Sequence, residues 1–330
     1  MKALLSKATG GPDTLVLEDI ESPTPGKGEV IIEVKAIGVN FPDTLIIQDL
    51  YQFKPERPFS PGGEVSGVVK ALGEGVSNLQ VGQRVIGSCG WGGMREELAL
   101  DAARCIPIPD TVPFEQAAAF VMTYGTSYYA LKDRADPKPG EKLLVLGAAG
   151  GVGIAAVELG KAMGLEVIAA CSSQEKVDFC LSKGADKGLV YERGDLDRGQ
   201  QKEFSNQINE VSVCGVDIIY VGLGGNYAEP SVRAMNWEGR YLVIGFPAGI
   251  PKLPLNLTLL KSCDIRGVFW GAHVAREPAR NQQNLVELFE MYQSGKISPH
   301  VSEIFPLERV GDAIQYLSDR KALGKVVVTV

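Results

Sequence analysis

The sequence predicts an α/β protein in which a barrel-like β domain accompanies a doubly wound parallel sheet. Three observations carry that prediction. Up to about residue 120 the chain is a series of short Val/Ile-rich runs separated by Gly- and Pro-containing segments. From about residue 140 short apolar runs alternate with stretches of helical spacing. The 330 residues suit two domains at about 150 residues each.

In the first part, LVLEDI (15–20), EVIIEVKAIGVN (29–40), GEVSGVVKALG (63–73) and QRVIGS (83–88) read as strands, punctuated by SPTPGKG (22–28) and PFSPGG (58–63). In the second, KLLVLG (142–147) is the short continuous apolar run of a strand buried on both faces. GIAAVELGKAMG (153–164) follows with helical spacing, then a strand at VIAA (167–170) and a helix at QEKVDFCLSKG (174–184). LVY (189–191), DIIYV (217–221) and YLVIG (241–245) continue the alternation. A long amphipathic helix at 276–297 precedes a strand (EIFPL, 303–307), a helix (307–320) and a last strand (GKVVVTV, 324–330). This tail is expected to rejoin the first part and close its split barrel. The expected domains are therefore 1–122 with 290–330, and 123–289.

Composition excludes several classes of function. The net charge is −7 and there is no Lys/Arg-rich run, which argues against a dedicated nucleic-acid binder. No run of about 18 apolar residues is present, so no spanning helix is expected. The opening MKALLSKATGG is interrupted too early to serve as a secretory leader. The six cysteines, Cys89, Cys105, Cys171, Cys180, Cys214 and Cys263, show no CxxC spacing and read as reduced thiols of a cytoplasmic protein. Only His273 and His300 are available as imidazoles, too few for a multi-histidine metal site.

The strongest motif is the turn Ala148-Ala149-Gly150-Gly151-Val152-Gly153, set between a strand and a helix. It is G-x-G-x-x-G with alanine in the first place. Ala148 permits a tight turn, Gly150 lets backbone approach a pyrophosphate, and Gly153 lets helix pack on strand. The helix start then offers free N–H groups and a positive dipole end. A small-residue turn of an ordinary α/β protein is the alternative, but the flanking strand and helix favour nucleotide binding. An NAD site places an acid after the second strand to bind the ribose 2′-OH. Here that strand ends Cys171-Ser172-Ser173, with Lys176 one helical turn later. A 2′-phosphate, with its roughly two negative charges, is attracted by a lysine and repelled by an acid. NADP(H) is the expected cofactor, unless Ser173 only caps its helix and Lys176 is only solvated.

On GVNFPDTLI (38–46), PFSPGGEVSGVV (58–69), GVSNLQVGQRVIG (75–87), TYGTSYYAL (123–131), LGAAGGVGIAAVELGKAMG (146–164), GRYLVIGF (239–246) and GKVVVTV (324–330), the chain resembles the zinc-independent medium-chain dehydrogenases/reductases. Within them it is similar to the quinone oxidoreductase (zeta-crystallin-like) family, and Val268-Phe269-Trp270-Gly271 points to its quinone-oxidoreductase-like members. The resemblance implies a GroES-like β-barrel catalytic domain, a Rossmann domain and a cleft between them. It further implies NADPH, hydride donation to quinones or conjugated enones, and homodimers formed through the Rossmann sheets.

The departures matter. Where zinc-dependent relatives have a cysteine ligand and Gly-His-Glu, this chain has Asn40 and Gly62-Gly63-Glu64, and the structural-zinc cysteines are missing. No metal is expected, because zinc needs three or four converging ligands. Reduction of an already electrophilic acceptor needs none.

The resemblance carries Asn40, Asp43 and Tyr51 to the acceptor side of the site. Asn40 donates to the acceptor carbonyl or the nicotinamide ribose, or else is a turn residue. Asp43 acts there or caps the helix that follows, and Tyr51 supplies a proton or lines the pocket. Some relatives have a second tyrosine where this chain has Leu45. On the cofactor side the resemblance places Thr126 beside the nicotinamide, and Tyr191 near the 2′-phosphate or adenine. It sets Gly245, Phe246, Phe269 and Trp270 at strand ends facing the nicotinamide half; Phe269 and Trp270 equally suit a dimer interface. Lys325 lies near the cofactor in some relatives, though a charged residue in the last strand needs no such explanation. His273 receives no role, and the cysteines read as small buried hydrophobes.

The expected activity is NADPH-dependent reduction of a quinone or other conjugated carbonyl, a small-molecule substrate, without zinc. The competing readings are an enoyl-thioester or enone reductase, which Leu45 disfavours, and a non-catalytic NADPH-binding protein, structural or RNA-binding. The −7 charge disfavours RNA.

Overall fold

The computed structural model describes all 330 residues. They form two compact units, Met1–Met122 with Pro299–Val330, and Thr123–Ser298.

The first unit opens with an antiparallel hairpin of β1 (Lys2–Ser6) and β2 (Leu15–Asp19). Its main sheet is built on β3 (Glu29–Val39), β4 (Glu64–Leu72), β5 (Arg84–Ser88), β6 (Glu97–Asp101) and β7 (Cys105–Pro107). The 11-residue β3 is central: it pairs antiparallel with β4 along its length and with β6 at its start. Val30, Ile32, Val34, Ile37 and Val39 give it a row of fully buried β-branched side chains. At Asn40 the backbone is still extended, and helix α1 (Phe41–Ile46) begins with Pro42 inside its first turn, where a missing N–H costs nothing. A short α2 (Phe114–Ala117) follows, and α3 (Val121–Tyr128) runs on into a π-helical stretch, Tyr129–Ala135.

The second unit is a six-stranded parallel sheet of β8 (Lys142–Leu146), β9 (Glu166–Cys171), β10 (Lys187–Val190), β11 (Val216–Val221), β12 (Met235–Val243) and β13 (Asp264–Gly267). The strands lie in the order β10-β9-β8-β11-β12-β13. This is the doubly wound order, with its switch point between β8 and β11. Every residue of β8 after Lys142 is buried, as its unbroken apolar run requires. Helices α4 (Gly151–Ala162), α5 (Gln174–Ser182), α6 (Arg198–Ser212), α7 (Ala228–Arg233) and α8 (Asn256–Lys261) connect the strands. Then come α9 (Trp270–Arg276) and α10 (Pro278–Gln293).

The chain returns to the first unit with β14 (Val301–Pro306), α11 (Val310–Ser318) and β15 (Lys325–Thr329). β15 pairs antiparallel with β3, and β14 lies parallel beside β15. The tail thus extends the β3 sheet, and Val310, Ala313, Ile314, Val326 and Val328 join its core. The division at Pro299 lies beyond the 290 set from the sequence. Residue 290 falls inside α10, whose Asn284 and Glu287 bond to Lys132 of the second unit. Tyr191, expected as an edge aromatic or a cofactor contact, packs into the core. Its ring meets Tyr227 edge-on at 5.0 Å and Phe204 at 6.2 Å.

Candidate functional site

The second unit gathers its nucleotide-binding candidates by topology. In a parallel sheet all carboxyl ends share one edge, where ligands of doubly wound folds bind. Ala149–Gly153 follow β8; Ser172 and Ser173 follow β9; Tyr191 follows β10; Gly245 and Phe246 follow β12; Phe269 and Trp270 follow β13. The structure therefore brings these sequence-distant residues to one edge of one sheet.

The turn after β8 has the shape a phosphate needs. Gly150, the residue preceding α4, is extended, and its N–H donates to Gly147 O at 3.1 Å. α4 then starts at Gly151, so the N–H groups of Gly151, Val152 and Gly153 have no acceptor within the helix. A Cβ on Gly153 would lie 2.3 Å from Gly147 O, so only glycine fits. A Cβ on Gly150 would meet only Gly147 O, at 3.5 Å, which leaves that side of the turn open for a group to approach. The turn fits a pyrophosphate. After β9, the Ser173 hydroxyl accepts the Lys176 N–H at 3.4 Å and caps α5, so capping is observed, and no acid occupies Cys171–Ser173.

Trp270 packs against α3 at Gly125, the residue before Thr126. A Cβ on Gly125 would approach Trp270 Cζ2 to 2.9 Å. The Trp270 indole is buried and donates Nε1–H to Asn281 Oδ1 at 3.1 Å, whereas Phe269 stays exposed. Ser127 ties this helix to the phosphate turn, its hydroxyl donating to Val152 O at 2.8 Å.

In the first unit the acceptor-side candidates Asn40 and Asp43 form a buried polar cluster with Glu64, to which sequence reasoning gave no role, and with Lys325, which the resemblance set near the cofactor in some relatives. Lys325 Nζ donates to Asn40 Oδ1 at 2.7 Å and to Val39 O at 3.1 Å, and lies 3.7 Å from Glu64 Oε2. Asn40 Nδ2 donates to Gly38 O at 3.0 Å. The amide expected to reach an acceptor is thus engaged by its own chain, and it also faces Glu64. Asp43 Oδ2 accepts the Asn40 backbone N–H at 2.8 Å, and Oδ1 accepts that of Gly62 at 3.0 Å. Glu64 Oε1 accepts the Met122 N–H at 2.9 Å.

Burial dominates the electrostatics of this cluster. It pushes the Asp43 carboxyl up to about 6, against the opposing pull of the Asn40 and Gly62 N–H groups and the Lys325 charge. It also raises Glu64 and lowers Lys325, each partly restored by the other's charge. Tyr51 is half-buried, and its phenol is raised by burial first and by the Asp43 charge second. Its ring lies 5.9 Å from that of Phe53, which lies 6.2 Å from that of Trp91. Phe53 and Trp91 are both exposed, so three aromatics form an open patch beside the cluster. The signal for Lys325 was a charge at the head of the Val326-Val327-Val328 run, a position that the structure buries. No three His, Cys, Asp or Glu side chains converge as metal ligands; Asn40 and Gly63 supply none.

Comparison with known proteins agrees with this architecture. Residues 26–110 match the alcohol dehydrogenase GroES-like domain, and residues 151–290 match the zinc-binding dehydrogenase domain. The quinone oxidoreductase-like protein 2 homolog of Nematostella vectensis is 36% identical over 332 residues, spanning 99% of this chain and 88% of that protein. Quinone oxidoreductase-like protein 2 of Bos taurus is 36% identical over 96% of this chain and 89% of its own. The Escherichia coli quinone oxidoreductase, solved in complex with NADPH, matches all of both chains with a TM-score of 0.91 at 26% identity. A mycobacterial protein, also solved with NADPH, matches all of both chains with a TM-score of 0.91 at 31% identity.

Proposed function

Because the chain belongs to the medium-chain dehydrogenase/reductase family, in its quinone oxidoreductase branch, we propose that it reduces a quinone or other conjugated carbonyl with NADPH. The observation that carries this reading is the carboxyl edge of the parallel sheet. There a phosphate-shaped turn after β8 is joined by two hydroxyls at the end of β9, where no acid occupies Cys171–Ser173, and by a lysine in the first turn of α5. Gly151, Val152 and Gly153 would hold the pyrophosphate through their N–H groups. Ser172, Ser173 and Lys176 would hold the 2′-phosphate. Thr126, Gly245, Phe246, Phe269 and Trp270 would border the nicotinamide half, and Tyr191 would back the adenosine side from the core.

Bound NADPH supplies a hydride, two electrons and one proton. A quinone that accepts it needs one further proton to become a hydroquinone. Tyr51 or water supplies that proton, and the raised pKa of Tyr51 keeps the phenol protonated until the acceptor's oxygen gains charge. Asn40 and Asp43 hold the start of α1 and the Gly62 loop in register. The aromatic patch of Tyr51, Phe53 and Trp91 favours a flat, conjugated acceptor, which can stack on rings at low cost.

The sheet edge formed by β13 supports a homodimer. Ile265 on β13 and Leu259 and Leu260 on α8 are exposed, Leu259 by 80%. An edge strand also leaves backbone groups for a second copy to pair with. No helix is long and apolar enough to cross a membrane. Cysteines without CxxC spacing suit a reducing compartment, so the proposal places the protein in the cytoplasm.

The deciding experiment is NADPH oxidation against a panel of quinones, acyclic enones and enoyl thioesters, repeated with NADH. Turnover of quinones with NADPH is expected. Turnover of enoyl thioesters alone assigns the competing reductase activity. NADPH binding without turnover of any acceptor overturns the catalytic reading.

A further inference from the structure

The Lys325–Glu64 pair has no evident value as a staple for the fold. Both side chains are at least nine-tenths buried, and Glu64 Oε2 makes no hydrogen bond. Desolvating two charges costs about as much as their attraction returns, so apolar replacements of such pairs are often neutral or stabilising. What the pair does in geometry is more specific. A side-chain amide can sit in either of two orientations, with oxygen and nitrogen exchanged. Only one of them places oxygen on an ammonium, and Lys325 Nζ holds Asn40 Oδ1 at 2.7 Å. The same ammonium holds Val39 O at 3.1 Å, which anchors the end of β3 immediately before the turn into α1. The Asn40 backbone N–H, fixed in turn, donates to Asp43.

We propose that Lys325, with Glu64 as its counter-ion, is a positioning residue: it locks the Asn40 amide in one orientation and, through Asn40 and Asp43, holds the first turn of α1 in place on the acceptor side of the proposed site. The inference rests on the reductase reading for its effect on turnover. Its effect on Asn40 stands without that reading.

The test compares the wild type with the double variant Glu64→Gln/Lys325→Met and the single variants Glu64→Gln and Lys325→Arg. Three quantities are read: thermal stability, kcat and KM for NADPH and a quinone, and hydrogen exchange of the Asn40 side-chain amide by NMR. In the double variant, KM for NADPH is expected near wild type, and stability is expected to fall less than kcat, the loss coming from Asn40 Oδ1 and Val39 O, which lose their donor. Its kcat should fall by about 10- to 100-fold, the scale of a small misplacement at a reacting centre. Asn40 amide exchange should accelerate by about tenfold or more, since nothing holds Oδ1. Lys325→Arg, which keeps a cation and a donor, should recover part of kcat. If the double variant does not fold, Glu64→Gln is expected to show both effects in smaller measure. Unchanged Asn40 exchange in the folded variants overturns the proposal, whether or not the protein turns over any acceptor. Equal falls in stability and in kcat, with no rescue by arginine, reduce the pair to a structural one and also overturn it. Absence of wild-type turnover defeats the reductase reading alone, because the exchange measurement still decides the role of Lys325.

Discussion

Asp43 reaches across the chain to Gly62, accepting its backbone N–H at 3.0 Å, and so fastens the first turn of α1 to the loop that leads into β4. That bond is made by a carboxylate with almost no solvent contact, and burial holds its pKa at about 6. The folded state therefore binds this proton more tightly than the unfolded chain, where the group titrates near 3.8. Its sign follows: ionised Asp43 costs stability, fully above about pH 6, and the cost vanishes as the pH falls below about 4. At 1.36 kcal/mol per unit, the cost is on the order of 3 kcal/mol. Denaturant unfolding of the wild type and Asp43→Asn, from about pH 3.5 to 7, should give stabilities whose difference changes between about pH 4 and 6 and is level above that. Parallel curves would show that Asp43 titrates as an ordinary carboxylate.

Lys176 is expected to discriminate between the two nicotinamide cofactors. Charge-assisted bonds to phosphate are worth about 1.5–3 kcal/mol, so Lys176→Ala should weaken NADPH by about 10- to 100-fold and barely affect NADH. Isothermal titration with both cofactors measures this. Equal losses for the two would remove the 2′-phosphate from this end of β9.

The two glycines of the phosphate turn should fail differently. A Cβ at Gly153 would sit 2.3 Å from Gly147 O and 2.8 Å from Ala148 C, both backbone atoms that cannot yield without moving the turn. Gly153→Ala should destabilise the protein by about 1–3 kcal/mol. Gly150 has an ordinary extended conformation, and its Cβ would find van der Waals room. Gly150→Ala should fold with near wild-type stability yet bind NADPH at least about tenfold more weakly, because the methyl group occupies the pyrophosphate's approach. Wild-type affinity in Gly150→Ala would show that no phosphate lies over this turn.

The β13 edge predicts an assembly that a single charge disrupts. Leu259→Asp, at an exposed position, should leave the fold intact and convert a dimer to monomers in light scattering. A wild-type monomer at micromolar concentration, or a dimer unaffected by the change, would move the interface elsewhere.

Much of the fold is written in local periodicity. β8 is legible because both of its faces are buried, so it reads as an unbroken apolar run; α5 is legible because Ser173 and Gly184 mark its ends. β13 is not legible: its four residues, Asp264–Gly267, lie at the sheet edge with no alternation to read. The π-helical stretch after α3 likewise has no short-range signature.

The site divides along the same line. The phosphate turn is determined by the sequence alone, because a tight turn, a close approach and a helix start are all set by residues a few positions apart. The absence of an acid at Cys171–Ser173, the end of β9, is equally local, and with it the expectation of NADP(H). The buried cluster of Asn40, Asp43, Glu64 and Lys325 is decided only by tertiary structure. Lys325 and Asn40 are 285 residues apart, and they meet because β15 returns to pair with β3. Sequence shows a lysine at the head of an apolar strand; only the sheet that closes around it turns that lysine into a buried cation, and so into a partner that determines which way Asn40 faces.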